Sequence, residues 1–411
     1  MYSDPRLIRI EDYTYDLPQE RIAVYPLEDR TCSSLLVYKD GAIQTDVFRN
    51  LPGFLPASCV MVLNQTRVVN ARLVFHNANG ARIELFCLEP AYGADPAEEL
   101  GRKGRVEWRC MVGNRKRWKE GDLHLNVSGP EGNVQLHARL LESQGAESRI
   151  EFSWTPSDWS FAQILEHIGN LPLPPYLNRD ADEEDEIRYN TVYARSEGSV
   201  AAPTAGLHYS EEMLDALSNA GHTVMPVTLH VGAGTFRPVT GDSIGEHDMH
   251  AERIHVDADM IRAFKESAGS RSVLAVGTTS LRTLESLYWF GVRCLLDDLP
   301  SDDLLVDQWD GFQSENLPSV HSALEAVLQY LAKNRLDALQ GRTRLMIAPG
   351  YSFKVVDILQ TNFHQPGSTL LLLVAAFIGE DWRKVYATAL EENFRFLSFG
   401  DASLLFRRKG N

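Results

Sequence analysis

Four histidines stand in short segments rich in glycine and other small residues. They fall in Gly198-Ser-Val-Ala-Ala-Pro-Thr-Ala-Gly-Leu-His208, His230-Val-Gly-Ala-Gly-Thr-Phe236, Met249-His-Ala-Glu252 and Thr361-Asn-Phe-His364. Imidazole titrates near neutral pH, so His208, His230, His250 and His364, with Glu252 beside one of them, suit proton transfer. A single histidine more often fills a hydrogen-bonded structural role. Four in such segments favour acid–base work by at least one. His247 and Asp357 complete the titratable candidates. His247 and His250 form an i, i+3 pair of the kind metals use, but no second pair with ligand spacing accompanies them, and no metal is expected.

The small residues carry their own signal. The segment ending at His208 leads into a predicted helix with Ser210 as N-cap, Glu211 and Glu212 in the first turn, Met213, Leu214 and Leu217 on one face and Gly221 at the end. A small-residue loop feeding a helix N-terminus is a ready site for an anion or polar ligand. A tight turn in a packed domain suits the same residues. Gly232 and Gly234 follow a strand-like run, and Val276-Gly-Thr-Thr-Ser-Leu-Arg282 passes from a strand into a helix. In an open α/β sheet such strand ends converge on one crevice. Neither glycine pair fits GxGxxG and no GxxxxGK[ST] occurs, which excludes a nicotinamide fingerprint and a P-loop.

The elements that must position these residues fall into two sets. At 411 residues the chain is too long for one ordinary core. Residues 1–72 and 153–411 read as a discontinuous α/β domain: strands at 59–63, 224–231 and 272–276, helices at 280–290, 368–378 and 383–394. Between them, 73–152 reads as an inserted all-β domain, a small barrel with strands at 81–88, 106–112, 122–127, 134–141 and 148–154. A helix is expected from Phe161 to Ile168 between Ser160 and Gly169. The runs 180–186 and 297–315 are acidic and read as loops. The fold class is therefore a mixed α/β sheet domain plus a small β-barrel.

Composition is ordinary for a globular protein, with 44% apolar and 23% charged residues. The longest apolar run, 370–378, is under half of what spans a bilayer. The N-terminus lacks a basic stretch followed by an apolar one, so no secretory signal is expected. The five cysteines are widely spaced with no CxxC, which fits reduced thiols in the cytoplasm. The formal charge of −16 argues against nucleic acid, yet residues 101–120 hold eight basic side chains against two acidic ones, a net +6. That stretch reads equally as a solvated strand face or an RNA footprint.

Taken in order, the four histidine segments, Val276-Gly-Thr-Thr-Ser-Leu-Arg282 and Phe399-Gly-Asp401 closely resemble the S-adenosylmethionine:tRNA ribosyltransferase-isomerase family of the queuosine pathway. Asn64-Gln-Thr-Arg-Val68, Pro172-Leu-Pro-Pro-Tyr176 and Pro349-Gly-Tyr351 fit as well. The likeness runs from about Tyr15 to the end. It implies an α/β domain with an inserted β-barrel, and S-adenosylmethionine consumed as a ribosyl donor, with no other cofactor. The implied acceptor is 7-aminomethyl-7-deazaguanine at the wobble position of a tRNA with a GUN anticodon, and the products are epoxyqueuosine-tRNA, adenine and methionine. Family chemistry begins with loss of the C5′ proton beside the sulfonium. Adenine leaves, the amine attacks the ribosyl carbon, and methionine departs as the epoxide forms.

On this reading His208, His230, His250, Glu252 and His364 are catalytic, and which of them is the base stays open. Asn64, Arg67, Thr204, Gly206, Gly232, Gly234, Thr278, Thr279, Arg282 and Asn362 bind substrate. Arg102, Lys103, Arg115, Lys116 and Arg117 hold tRNA phosphates. A monomer without membrane attachment is expected. Ser34, Asn70 and Asn170 stand where the family usually has arginine, proline and histidine, and the span 285–349 is long, which predicts an extra helix around 321–333. An inactive or acceptor-altered tRNA-binding paralogue is the alternative. An ordinary methyltransferase fits less well, because its glycine-rich first turn and acidic strand end are not evident.

Overall fold

A computed structural model describes residues 4–93, 96–119, 121–129, 132–144, 147–230, 241–296, 304–313 and 316–408. The chain packs as two compact units. One comprises Met1–Gln65, Asn190–Ala194 and Pro203–Asn411, the other Thr66–Tyr189 and Arg195–Ala202.

The first unit is built on a ten-stranded sheet. Its strands are β1 Ser34–Lys39, β2 Ala42–Val47, β3 Cys59–Asn64, β4 Thr223–His230, β5 Glu252–Asp257, β6 Ser272–Val276, β7 Leu305–Val306, β8 Ala338–Thr343, β9 Ile358–Asn362 and β10 Ala402–Phe406. Their order across the sheet is β7-β8-β5-β4-β3-β6-β9-β10-β1-β2. The centre, β4-β3-β6-β9, is parallel. All six residues of β3 and all five of β9 are buried, as expected of strands covered on both faces. The direction in which connections step across the sheet reverses between β3 and β6: the route from β3 continues to β4 on one side, that from β6 to β9 on the other. Such a switch point opens a crevice beyond the carboxyl ends of the strands.

The helices of this unit are α1 Glu211–Asn219, α2 Ala258–Ser267, α3 Thr278–Leu295, α4 Val320–Asn334, α5 Thr369–Ile378 and α6 Trp382–Glu391. Ser210 caps α1 and Ser368 caps α5 through their hydroxyls, as the sequence predicts. Every residue of α3 from Thr278 to Val292 is buried, so polar side chains there must find internal partners. α4 is the extra helix expected around 321–333.

The second unit holds a six-stranded antiparallel sheet. Its strands in spatial order are Arg72–His76, Arg82–Pro90, Arg105–Gly113, Glu147–Thr155, Gly132–Gln144 and Leu123–Gly129. The first and last come close, so the sheet curls into a nearly closed barrel. Alternate residues point inward (Ile150, Phe152 and Trp154 on one strand), as period-two patterning requires. The helix Phe161–Ile168, held by a Ser160–Gln163 capping box, buries Phe161, Ile164 and Leu165 in the same core. That helix carries the compact unit past residue 152. The acidic run 180–186 is not a plain loop: Asp182 caps a short helix, Glu183–Arg188, and Asp185 is buried against Arg179 at 2.8 Å. Within 304–313, β7 and a turn of 3-10 helix replace the expected loop. No helix among the described residues is long and apolar enough to cross a membrane.

Candidate active site

The carboxyl ends of β4, β3, β6 and β9 bring His230, Asn64, Thr278, Thr279, Asn362 and His364 to one edge of the sheet. β5 runs antiparallel to β4, so Glu252 at its start lies at the same edge, with His230 and Arg253 in register. β10 runs antiparallel to β9 and pairs Ala402 with Asn362, which brings Asp401 there too.

His208 is the hub of one cluster. Its Nδ1 stands 2.8 Å from Ser33 Oγ and its Nε2 3.2 Å from Asn362 Nδ2. Asn362 Oδ1 accepts from Thr204 Oγ1 at 3.1 Å. With the amide nitrogen of Asn362 facing Nε2, the ring proton sits on Nδ1 and the imidazole is neutral. Burial, with Arg395 and Arg30 nearby, pushes the His208 pKa down to about 3. Asp401 is buried and accepts from Ser34 N at 3.0 Å and Arg395 N at 2.7 Å, which fixes the strand end carrying Ser33. Gly206 lies in the 3-10 turn Thr204–His208. A Cβ there would stand 1.9 Å from the Tyr193 hydroxyl, so glycine is what the packing admits.

His364 is held differently. Its Nε2 lies 3.1 Å from Thr361 Oγ1, its backbone N–H donates to Tyr386 Oη at 3.1 Å, and Tyr15 Oη donates to its carbonyl. Among the described residues its Nδ1 has no hydrogen-bond partner. Burial alone pushes its pKa down to about 3. His250 is half-buried in the extended stretch before β5. That stretch is pinned by Gln308, which accepts from Met249 N at 3.0 Å and donates to His247 O at 2.7 Å. The i, i+3 spacing of His247 and His250 is thus not realised on a helix. Among the described residues no cluster of His, Cys, Asp and Glu could hold a metal ion.

Glu252 and Arg282 form a buried ion pair. Asn64 is fully buried, and its carboxamide both donates to Leu229 O at 2.9 Å and accepts from Leu229 N at 3.1 Å. It extends the β3–β4 ladder by imitating one more peptide group. Asp357 precedes β9, at the opposite end of that strand, where it accepts from Val273 N at 3.0 Å. Gly232 and Gly234 lie outside the described residues.

A family model described as "Queuosine biosynthesis protein" matches residues 10–405. The chain belongs to that family. A relative from Magnetococcus marinus, named S-adenosylmethionine:tRNA ribosyltransferase-isomerase, is 38% identical over 97% of this chain and 94% of its own. Relatives with the same name from Halothermothrix orenii and Nitrosospira multiformis are each 37% identical, covering 97% and 98% of this chain and 100% of their own. The solved S-adenosylmethionine tRNA ribosyltransferase of Thermotoga maritima is 27% identical and covers 96% of this chain, with a TM-score of 0.45.

Several residues of this queuosine-family site carry no sequence signal. Ser33, Tyr15 and Tyr386 reach the histidines only through the fold. Glu285 is the exception, since an acidic residue inside the apolar period of a helix must be paired if the helix is buried. It is fully buried and accepts from Tyr351 Oη at 2.8 Å and from the amides of Lys354, Val355 and Val356 at 3.0, 2.9 and 3.1 Å.

The predicted RNA-contacting residues lie in the second unit. There Arg102 pairs with Glu99 at 2.9 Å, Arg105 with Glu151 at 2.6 Å and Arg109 with Glu89 at 3.4 Å. Lys103, Lys116, Arg117 and Lys119 are exposed, with no carboxylate partner among the described residues. The Arg115–Arg117 turn is held in shape: Asn114 Nδ2 donates to Arg82 O at 3.0 Å, and Asn77 Nδ2 to Arg117 O at 2.8 Å. Arg115 itself donates to Trp118 O at 2.6 Å. Arg67 is exposed on the short strand Thr66–Val68.

Proposed function

We infer that the chain is an S-adenosylmethionine:tRNA ribosyltransferase-isomerase. It moves and isomerises the ribosyl group of S-adenosylmethionine onto 7-aminomethyl-7-deazaguanine in tRNA, releasing adenine and methionine. One observation carries this: motif segments scattered from Asn64 to Asp401 meet at one carboxyl edge of the sheet, in a chain 37–38% identical to enzymes of that name. In this reading the barrel unit is an insertion in the α/β unit, and the enzyme works as a cytoplasmic monomer on tRNA with a GUN anticodon.

The residues divide the labour by their partners. His208 has both ring nitrogens engaged, so it serves to orient Asn362 and Thr204 toward the substrate. His364 Nδ1 has no partner among the described residues and His250 is half-buried, which leaves these two open to take the C5′ proton or to protonate departing adenine. His230 and Glu252 complete the catalytic set, with Arg282 paired to Glu252. Arg67 and the basic residues Arg102, Lys103, Arg115, Lys116 and Arg117 meet RNA, most strongly where no carboxylate neutralises them.

The test is direct. Purified protein is incubated with S-adenosylmethionine and tRNA carrying 7-aminomethyl-7-deazaguanine, and nucleosides and small molecules are analysed by mass spectrometry. Epoxyqueuosine with adenine and methionine is expected. Adenine without modified tRNA would point to an altered acceptor; S-adenosylhomocysteine would replace this reading with methyl transfer.

A further inference from the structure

We propose that the first turn of α3, with Thr279 Oγ1 as its side-chain donor, seats the carboxylate of the methionyl end of the ribosyl donor. This rests on the reading of S-adenosylmethionine as that donor. Gly277 enters α3 at φ +88°, a conformation that favours glycine, and as the N-cap residue it has no side chain with which to cap the helix. The first N–H groups of a helix have no intrahelical acceptor, and over 18 residues the aligned peptides leave that end electropositive.

Thr279 supplies the second, independent observation. Only 7% of it is exposed, and its Oγ1 is buried with no hydrogen-bond partner among the described residues. Buried hydroxyls in native proteins nearly always have one. Its neighbours satisfy theirs locally: Ser280 Oγ donates to Val276 O at 2.7 Å and Thr283 Oγ1 to Thr279 O at 2.9 Å. Thr279 Oγ1 instead turns back toward the open end, where a Cβ on Gly277 would stand 3.6 Å from it and 3.3 Å from Ala205 Cβ. The group therefore lies beside Gly277 at the entry to α3, with Ala205 of the Thr204–His208 turn on the other side of that glycine, where an acceptor from outside the protein would satisfy it.

The acceptor's chemistry follows from charge. Arg282, the cation one turn further along α3, is committed to Glu252. The helix end thus offers partial positive charge without a full cation. S-adenosylmethionine carries one anionic group, its carboxylate, close to a sulfonium and an ammonium that a free arginine or lysine would repel. A helix terminus binds the carboxylate at smaller cost to those cations. A polymer phosphate fits less well against a hydroxyl this deeply buried.

The experiment measures calorimetric binding of S-adenosylmethionine and of its decarboxylated analogue to the full chain, its Thr279→Val variant and its Thr279→Ser variant. Wild type should bind the decarboxylated donor at least about tenfold more weakly, a loss typical of a hydrogen bond to a charged group. Thr279→Val should weaken only the carboxylated donor, and Thr279→Ser should restore the difference. Equal binding of the two donors by wild type, or equal weakening of both in Thr279→Val, would overturn the assignment. Weakened tRNA binding with donor affinities unchanged would give the turn to an RNA phosphate and overturn it too. Adenine release by wild type, measured alongside, reports on the enzymatic reading separately: turnover without discrimination sinks the carboxylate seat alone.

Discussion

Asn362 Nδ2 lies 3.2 Å from His208 Nε2, and this one amide joins two segments more than 150 residues apart in the chain. It donates to the histidine and accepts from Thr204, so both ends of the carboxamide are used. Asn362→Ala leaves a buried imidazole nitrogen and a hydroxyl without partners, at about 1–3 kcal/mol each. Urea unfolding should show a loss in that range, and adenine release should fall at least about tenfold in kcat/KM, as for a misplaced binding group. Wild-type turnover in a variant that is measurably less stable would remove Asn362 from the substrate site.

The two buried histidines set a pH dependence of stability. Folded His208 and His364 have pKa values near 3, whereas an unfolded histidine titrates near 6.5. The folded pKa is depressed, so between these limits the unfolded chain binds more protons. The stability is fully present above about 6.5 and is lost as pH falls toward 3, by at most about 1.4 kcal/mol per pH unit for each histidine. Denaturant midpoints at pH 7.5 and 5 measure the slope. His364→Gln should flatten it by about one proton's worth, even if the variant starts less stable. An unchanged slope would show that His364 is accessible to protons in the folded state.

Glu285 governs a different link, from α3 to the strand that bears Asn362. Its carboxylate accepts four hydrogen bonds, three from the backbone directly before β9. Burial pushes its carboxyl above the ordinary carboxylate range, and those hydrogen bonds pull it back. Glu285→Gln turns an acceptor into a donor that faces N–H and O–H groups. A loss of about 3 kcal/mol is expected in urea unfolding, because buried donors lose their acceptor. KM for S-adenosylmethionine should rise as well if β9 shifts. Wild-type stability would mean that the 349–356 segment is held mainly by the packing of Tyr351 and Phe353.

How far the sequence reaches depends on the range over which each feature is encoded. The barrel strands and the Ser160–Gly169 helix were legible because strand-like runs between turn signals, the helical period of Phe161, Ile164, Leu165 and Ile168, and a terminal glycine are local signals. The extra helix at Val320–Asn334 was expected on a different ground, the unusual length of the span 285–349 against the resembled family. The inner contacts of the site were not, because Ser33 meets His208 across 175 residues and Tyr15 meets His364 across 349. Asp357 shows the converse error of adjacency. It stands seven residues before His364, yet strand β9 lies between them, and five residues at about 3.3 Å each put it at the far end of the sheet. The strands β5, β8 and β10 are short and partly polar at sheet positions that only pairing reveals.

The charge of the barrel unit makes the last prediction. The eight basic residues in 101–120 read equally as a solvated strand face or an RNA footprint, and Arg102, Arg105 and Arg109 are answered by Glu99, Glu151 and Glu89. A charge already paired on the protein releases few counterions when a phosphate approaches, so its contribution to RNA affinity is small. Among the described residues Lys116 and Arg117 have no such partner, and they sit on a turn whose shape Asn77 and Asn114 hold. Lys116→Ala with Arg117→Ala should therefore weaken tRNA binding and lower the slope of log K against log salt by about one unit per lost contact. Arg105→Ala with Arg109→Ala should change that slope by much less. Both pairs should leave S-adenosylmethionine affinity at the wild-type value, which separates an RNA defect from a folding defect. Equal salt slopes for the two double variants would mean that the Glu151 and Glu89 pairs open on RNA binding, and the footprint would then extend along the whole basic segment.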